Sequence, residues 1–237
     1  VVNPTLIAFF SMKKGLRSNQ NRYVIAIMCT SIVFLPFSFL TGATRLTPNG
    51  WQFGNITCKL TIYLIISTAF VKTWLMAVIS IDRYRKVVCG KDISQRLSVL
   101  LILLSVVIPS GTTAIMVFPN VFTKDIEYQG DQLIICSAGF EYNPRVRISV
   151  MYYSILLTLY FFIPQAVIAV CYTKIMRAIS KSTRSLEKHG HFGRTVNSNN
   201  QKSKTTKILI LIVVLFTIMW LPLFAGLAFS TLDHVVE

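Results

Sequence analysis

The sequence predicts an all-α membrane protein, a bundle of apolar helices that cross a bilayer. Three observations predict it. Hydrophobic residues make up 53% of the 237 positions and charged residues only 14%, against about 25% charged in an ordinary soluble domain. The apolar residues gather into runs of about 20, the length that crosses a hydrocarbon core as a helix. The cations collect between alternate runs. Lipid offers the backbone no hydrogen-bond partner, so long apolar runs without strand alternation read as helices.

The spans follow in order. A partial one covers roughly residues 1–12. Full spans cover roughly 23–42, 60–81, 97–118, 148–170 and 208–229. Pro109, Pro164 and Pro222 fall inside them; membrane helices tolerate proline where neighbours satisfy the freed carbonyls. No internal repeat is apparent.

The net charge of +15 would suit a nucleic-acid partner if a basic face with interleaved aromatics stood clear of the apolar runs. None does, so nucleic acid is not expected. Segments 11–22, 83–96 and 174–207 hold four, five and nine Lys/Arg, whereas segments 43–59 and 120–148 hold two and three. The positive-inside rule places the first three in the cytoplasm. Asp125, Glu127, Asp131 and Glu141 lie together in one outer loop. Of the five cysteines, Cys58 and Cys136 fall on the outer side, where disulfides persist. Sequence alone does not prove that they pair.

Motifs now accumulate in a fixed order. The third span ends Asp82-Arg83-Tyr84, with Cys58 twenty-five residues before Arg83. Trp51-Gln52-Phe53-Gly54 stands in the first outer loop. Pro164 is followed eight residues on by Tyr172, and the sixth span contains Phe216, Trp220 and Pro222 in a Phe-x-x-x-Trp-x-Pro pattern. Asn3 precedes Asn21 by eighteen residues, and Leu16-Arg17 falls in the first inner loop. Any one of these could be ordinary packing or a topology charge. Together, in this order, they resemble rhodopsin-like G-protein-coupled receptors over almost the whole chain.

The resemblance implies a seven-transmembrane receptor bundle, a single domain over residues 1–237 in the plasma membrane. Half of the first helix and helices two to six are present, and the seventh, with its Asn-Pro-x-x-Tyr motif, is absent. The chain is therefore expected to be partial. The resemblance also implies a Cys58–Cys136 disulfide. It assigns G-protein coupling to Asp82, Arg83, Tyr84 and Tyr172: Arg83 is held by Asp82 when inactive and, once released, meets the Tyr172 hydroxyl. Phe216, Trp220, Pro222 and Pro164 form the activation switch, a two-state element that a ligand biases through differential affinity. Ile62, Ile65, Ile66 and Ala69 of the third span would line the ligand pocket with Trp220 and Phe224 of the sixth. The implied partners are a heterotrimeric G protein, an extracellular ligand and the lipid bilayer.

Departures from the family are informative. Gly90 stands where the family usually has Pro, and Lys91 where an apolar residue usually meets the G protein. The fourth span has no Trp. The family's sodium-binding Asp is replaced by Ser31, and a facing third-helix Ser by Lys72. Asn3, Ser31 and Lys72 thus form an altered sodium site, with a fixed cation where an anion usually stands. Lys72 lies seven residues after Ile65 and eleven before Arg83, so the three share a helix face. The alternative is a Lys that snorkels to an interface; mid-span, its stem reaches one poorly. Its neighbours in this sequence are neutral: Asn3, Ser31 and the Trp220 ring.

Amine receptors of the family carry Asp where Ile65 stands, so an amine ligand is not expected. The stretch Thr123–Cys136 alternates polar and apolar residues about a Gln129-Gly130-Asp131 turn and reads as a β-hairpin in the second extracellular loop. Peptide receptors commonly have one, and its acids suit a basic peptide, although acids in a loop also serve solvation alone. The reading is a receptor, with a neuropeptide-like ligand. Two other classes compete. A transporter or channel would use Lys72 on a substrate path, but inverted repeats or broken helices are not seen. A membrane enzyme would need a catalytic or metal constellation within the spans, and His189, His191 and His234 all lie outside them; no cofactor or metal is expected. The sequon Asn55-Ile56-Thr57 sits three residues before Cys58, too close to the helix for ready glycosylation.

Overall fold

A computed structural model describes residues 19–44, 50–128, 131–138 and 155–188, and in the last stretch residues 210, 211, 213–215, 217–219, 221 and 222. Helix α1 is Asn19–Thr44, α2 is Gly54–Val88 and α3 is Gln95–Asn120. Strands β1 (Val121–Tyr128) and β2 (Asp131–Ala138) follow. A π-helical turn, Thr158–Phe162, leads into α4, Ile163–Lys188. The described residues between 210 and 222 are helical. The expected partial span at 1–12, the turn residues Gln129 and Gly130, Glu141 and the start of the 148–170 span lie outside the described residues.

Among the described residues, four helical stretches are long and apolar enough to cross a membrane: Arg22–Thr44, Gly54–Val88, Gln95–Pro119 and Ile155–Ser182. Their outward apolar side chains stay exposed, among them Leu35, Phe39, Leu103, Val107, Ile115 and Phe162. In water such a surface would drive aggregation; against lipid tails it is the matching face. Hydroxyls on these helices turn back onto their own backbone. Ser31 donates to the Ile27 carbonyl at 2.9 Å, Thr73 to Ala69 at 2.8 Å, Ser80 to Ala77 at 2.7 Å and Thr113 to Pro109 at 2.7 Å. A polar side chain can thereby enter an apolar environment with its donor satisfied.

The chain packs as two compact units: Val1–Leu75 with Gln95–Phe161, and Met76–Ser94 with Phe162–Glu237. Helix α2 has 35 residues, about 52 Å at 1.5 Å per residue, so it exceeds the hydrocarbon core of about 30 Å. It supplies Gly54–Leu75 to the first unit and Met76–Val88 to the second. In the first unit α1 lies against α3, and β1 pairs antiparallel with β2, Thr123 opposite Cys136. The π turn also has a local cause. Pro164 has no N–H, and its ring would strike the carbonyl of Tyr160 in a regular α-helix; widening the turn removes the conflict. Tyr160, inside the turn, stacks on Phe70 at 5.4 Å and meets Trp74 edge-on at 6.5 Å.

Candidate functional site

In the first unit, the beginning of α2 is fastened to β2. Cys58 and Cys136 form a disulfide with 5.6 Å between their Cα atoms. Gly54 takes a positive φ of 74°, a conformation open to glycine at little strain, and its carbonyl accepts the Trp51 indole N–H at 2.9 Å. The Trp51 backbone N–H donates to the Ile134 carbonyl at 2.7 Å. The Trp-x-Phe-Gly segment therefore folds a loop and clips it to the strand. Trp51, Cys58 and Val117 are buried together, with Leu40, Ile62, Tyr63, Ile66, Ile134 and Cys136 packed around them. Lys59 reaches across to donate to the Phe118 carbonyl at 2.8 Å, a cation at the C-terminal end of α3, where the helix dipole favours one.

Further along α2 stand the expected pocket residues. Ile62, Ile65 and Ile66 are half-buried and Ala69 is buried. Lys72 follows, half-buried, with its Nζ 4.9 Å from the centroid of the Phe34 ring on α1. Phe34 is a partner that sequence reasoning missed. A signal existed: it lies three residues after Ser31, one turn along the same face. The Ser31 hydroxyl is committed to Ile27. Asn3 and Trp220, the other neighbours expected for Lys72, lie outside the described residues, as do Phe216 and Phe224. Pro222 is helical and exposed.

The second unit holds the Asp-Arg-Tyr segment. Asp82 is buried, and Arg83 is half-buried with no hydrogen-bond partner for its Nε among the described residues. Tyr172 is buried in a cluster with Ala77, Ile168, Ile175 and Ile179, and Tyr84 packs against that cluster. Lys174, which sequence reasoning also passed over, places its Nζ 5.6 Å from the Tyr84 ring centroid.

The end of α2 explains one departure. Gly90 has φ 67°, the left-handed conformation that terminates helices. The chain turns back there, and the Lys91 N–H donates to the Arg85 carbonyl at 3.2 Å. Proline, fixed near φ −65°, cannot take this place. Lys86 and Asp92 form an exposed ion pair at 3.0 Å beside the cap, and Ile93 is buried. Among the described residues no His/Cys/Asp/Glu group could hold a metal ion.

Known proteins share this sequence pattern. A bombesin receptor subtype-3 of Ovis aries is 25% identical over 93% of this chain and 56% of its own length. A neuropeptide Y receptor type 2 of Bos taurus is 25% identical over 100% of this chain and 61% of its own. Neuropeptide receptor 22 of Caenorhabditis elegans is 25% identical over 89% and 50%. The chain thus spans little more than half the length of these relatives. The profile of the family described as 7 transmembrane receptor (rhodopsin family) matches residues 2–236. With the chain matched over residues 2–236 and membrane-length helices in place, this multi-pass membrane protein belongs to the rhodopsin family of 7 transmembrane receptors.

Proposed function

We propose that residues 1–237 form the greater part of one receptor transmembrane domain in the plasma membrane, which carries an extracellular ligand signal to a heterotrimeric G protein. The observation that carries this reading is the second unit. Asp82 is buried and Arg83 half-buried at the helix end that the charge pattern assigns to the cytoplasm, and their neighbour Tyr84 packs against the buried cluster that contains Tyr172. Ionisable residues at a bundle mouth are expected to have a function. Arg83 with an unsatisfied Nε is suited to exchange partners when the helices move.

The ligand is a neuropeptide-like, basic peptide. Matched relatives are named as bombesin and neuropeptide receptors. The paired strands, read as the hairpin of the second extracellular loop, carry Asp125, Glu127 and Asp131, which favour a cationic partner. The transporter reading gains nothing: the Lys72 ammonium rests on an aromatic ring, and the family is one of receptors. The test is Arg83→Ala in the full-length receptor. Ligand-driven nucleotide exchange is expected to vanish while ligand binding persists. Undiminished exchange would remove this mechanism.

A further inference from the structure

Lys72 carries a charge that residues 1–237 do not balance. It is the only Lys or Arg within the spans 23–42, 60–81, 97–118, 148–170 and 208–229, and none of the nine Asp and Glu residues lies within them. The next acid along α2 is Asp82, ten residues on and nearly three turns away. Lys72 stands about 18 Å from one end of its span and about 14 Å from the other. The charge therefore lies at the depth where an ion costs most.

Its surroundings in the first unit are neutral. On one side the ammonium meets the Phe34 ring, 4.9 Å from the centroid. A ring face attracts a cation but carries no net charge, so the positive charge remains. The hydroxyls one turn away on each helix add none. Ser31, three residues before Phe34, donates to the Ile27 carbonyl at 2.9 Å. Thr68, four residues before Lys72, donates to the Leu64 carbonyl at 2.7 Å. Among the described residues Lys72 forms no ion pair. It is half-buried, which leaves part of the side chain open to a ligand.

An ammonium at this depth lowers its cost by losing its proton or by taking a counter-ion. The Phe34 contact favours the second, because a ring face attracts an ammonium and offers a neutral amine no such gain. We infer that the Lys72 Nζ is a binding site for a small monovalent anion, of which chloride is the abundant one outside cells. The anion sits on the side of the ammonium away from Phe34, since the electron-rich ring face repels it. One fixed cation neutralises one negative charge; a divalent anion would leave an excess in a medium of low dielectric. The inference rests on the membrane placement of α2 and on the surroundings of Lys72, not on the G-protein reading, and its readout needs no G protein.

The test places the full-length receptor in nanodiscs of neutral lipid, with N-methylglucamine as the constant cation. Chloride is exchanged for gluconate, a bulky organic anion, at fixed ionic strength, and thermal unfolding is followed. Chloride should stabilise the wild type in a saturable way. The folded-to-unfolded ratio should rise about tenfold when chloride reaches ten times its dissociation constant. Bromide should act as chloride does. Lys72→Met and Lys72→Gln should both lose the dependence; the readout is the response to chloride, so a variant of altered stability still reports. No chloride effect in the wild type, a measurement that needs no variant, would overturn the proposal. An equal effect in the two variants would also overturn it, because the response would then be a general effect of salt.

Discussion

The Lys72 ammonium lies over the ring of Phe34, 4.9 Å from its centroid, so a cation on α2 is held against an aromatic face of α1. A charge in the middle of a span is expensive unless something offsets its lost hydration. Among the described residues no acid does so. The ring quadrupole supplies an attraction of about 0.5–2 kcal/mol, larger where water is excluded.

Phe34→Leu should therefore lower the stability of the full-length receptor by about 1 kcal/mol beyond its packing loss. The excess should disappear in a Lys72→Met background. A double-mutant cycle on thermal unfolding in detergent reads this directly, and a coupling near zero would show that the two side chains do not interact.

Lys72 should also set the response to sodium. The family resemblance puts Ser31 and Lys72 where a carboxylate and a hydroxyl usually hold the ion. A fixed cation repels a second one strongly at low dielectric, and the Ser31 hydroxyl donates to Ile27. Agonist affinity should be the same in sodium as in a bulky organic cation. Lys72→Ser combined with Ser31→Asp should acquire a difference. A sodium effect in the wild type would rule out Lys72 as the replacement for the ion.

Gly90 should tolerate substitution in a defined order. Its φ of 67° suits Gly, then Asn, and strains any residue with an ordinary Cβ. Gly90→Asn should be the mildest change, Gly90→Ala should cost about 1 kcal/mol, and Gly90→Pro, the family's usual residue, should cost more. Thermal stability of the three variants checks the order. A stabilising proline would show that the cap does not form.

Removing the outer disulfide should have a large effect. Cys58 and Cys136 are 78 residues apart in sequence, and closing a loop of this size stabilises by about 2–4 kcal/mol. Cys58→Ser with Cys136→Ser should lose stability of that order in denaturant titrations and should weaken ligand binding. Trp51 and Ile134 alone would not hold the strand. Unchanged stability would mean that the backbone clip suffices.

Glycosylation at Asn55 should be weak or absent. Asn55-Ile56-Thr57 lies in the first turn of α2, next to the disulfide cysteine. Asn55→Gln should leave the mobility of the protein, before and after glycosidase treatment, unchanged. A complete shift that Asn55→Gln abolishes would contradict this.

The sequence by itself determined the class of fold and the family. An apolar run of about 20 residues solves its backbone hydrogen bonding alone, inside one helix, so its nature can be read without knowing its neighbours. The motif order from Trp51 to Pro222 is equally local, and it was enough to expect the disulfide of Cys58 with Cys136 that the structure contains. Tertiary structure decided which side chains meet. Lys72 and Phe34 lie on different helices, 38 residues apart. Helical periodicity fixes the face of each residue but not the rotation and depth at which two helices pack. The sequence therefore offers Asn3, Ser31 and Trp220 as neighbours of Lys72, and only the packing of α1 against α2 brings Phe34 to it. The same holds for Lys174 and Tyr84. Gly90 differs again: its identity was plain in the sequence, but only the return of the Lys91 N–H to the Arg85 carbonyl shows that it ends a helix, because many backbones accept glycine and the hydrogen bond selects one.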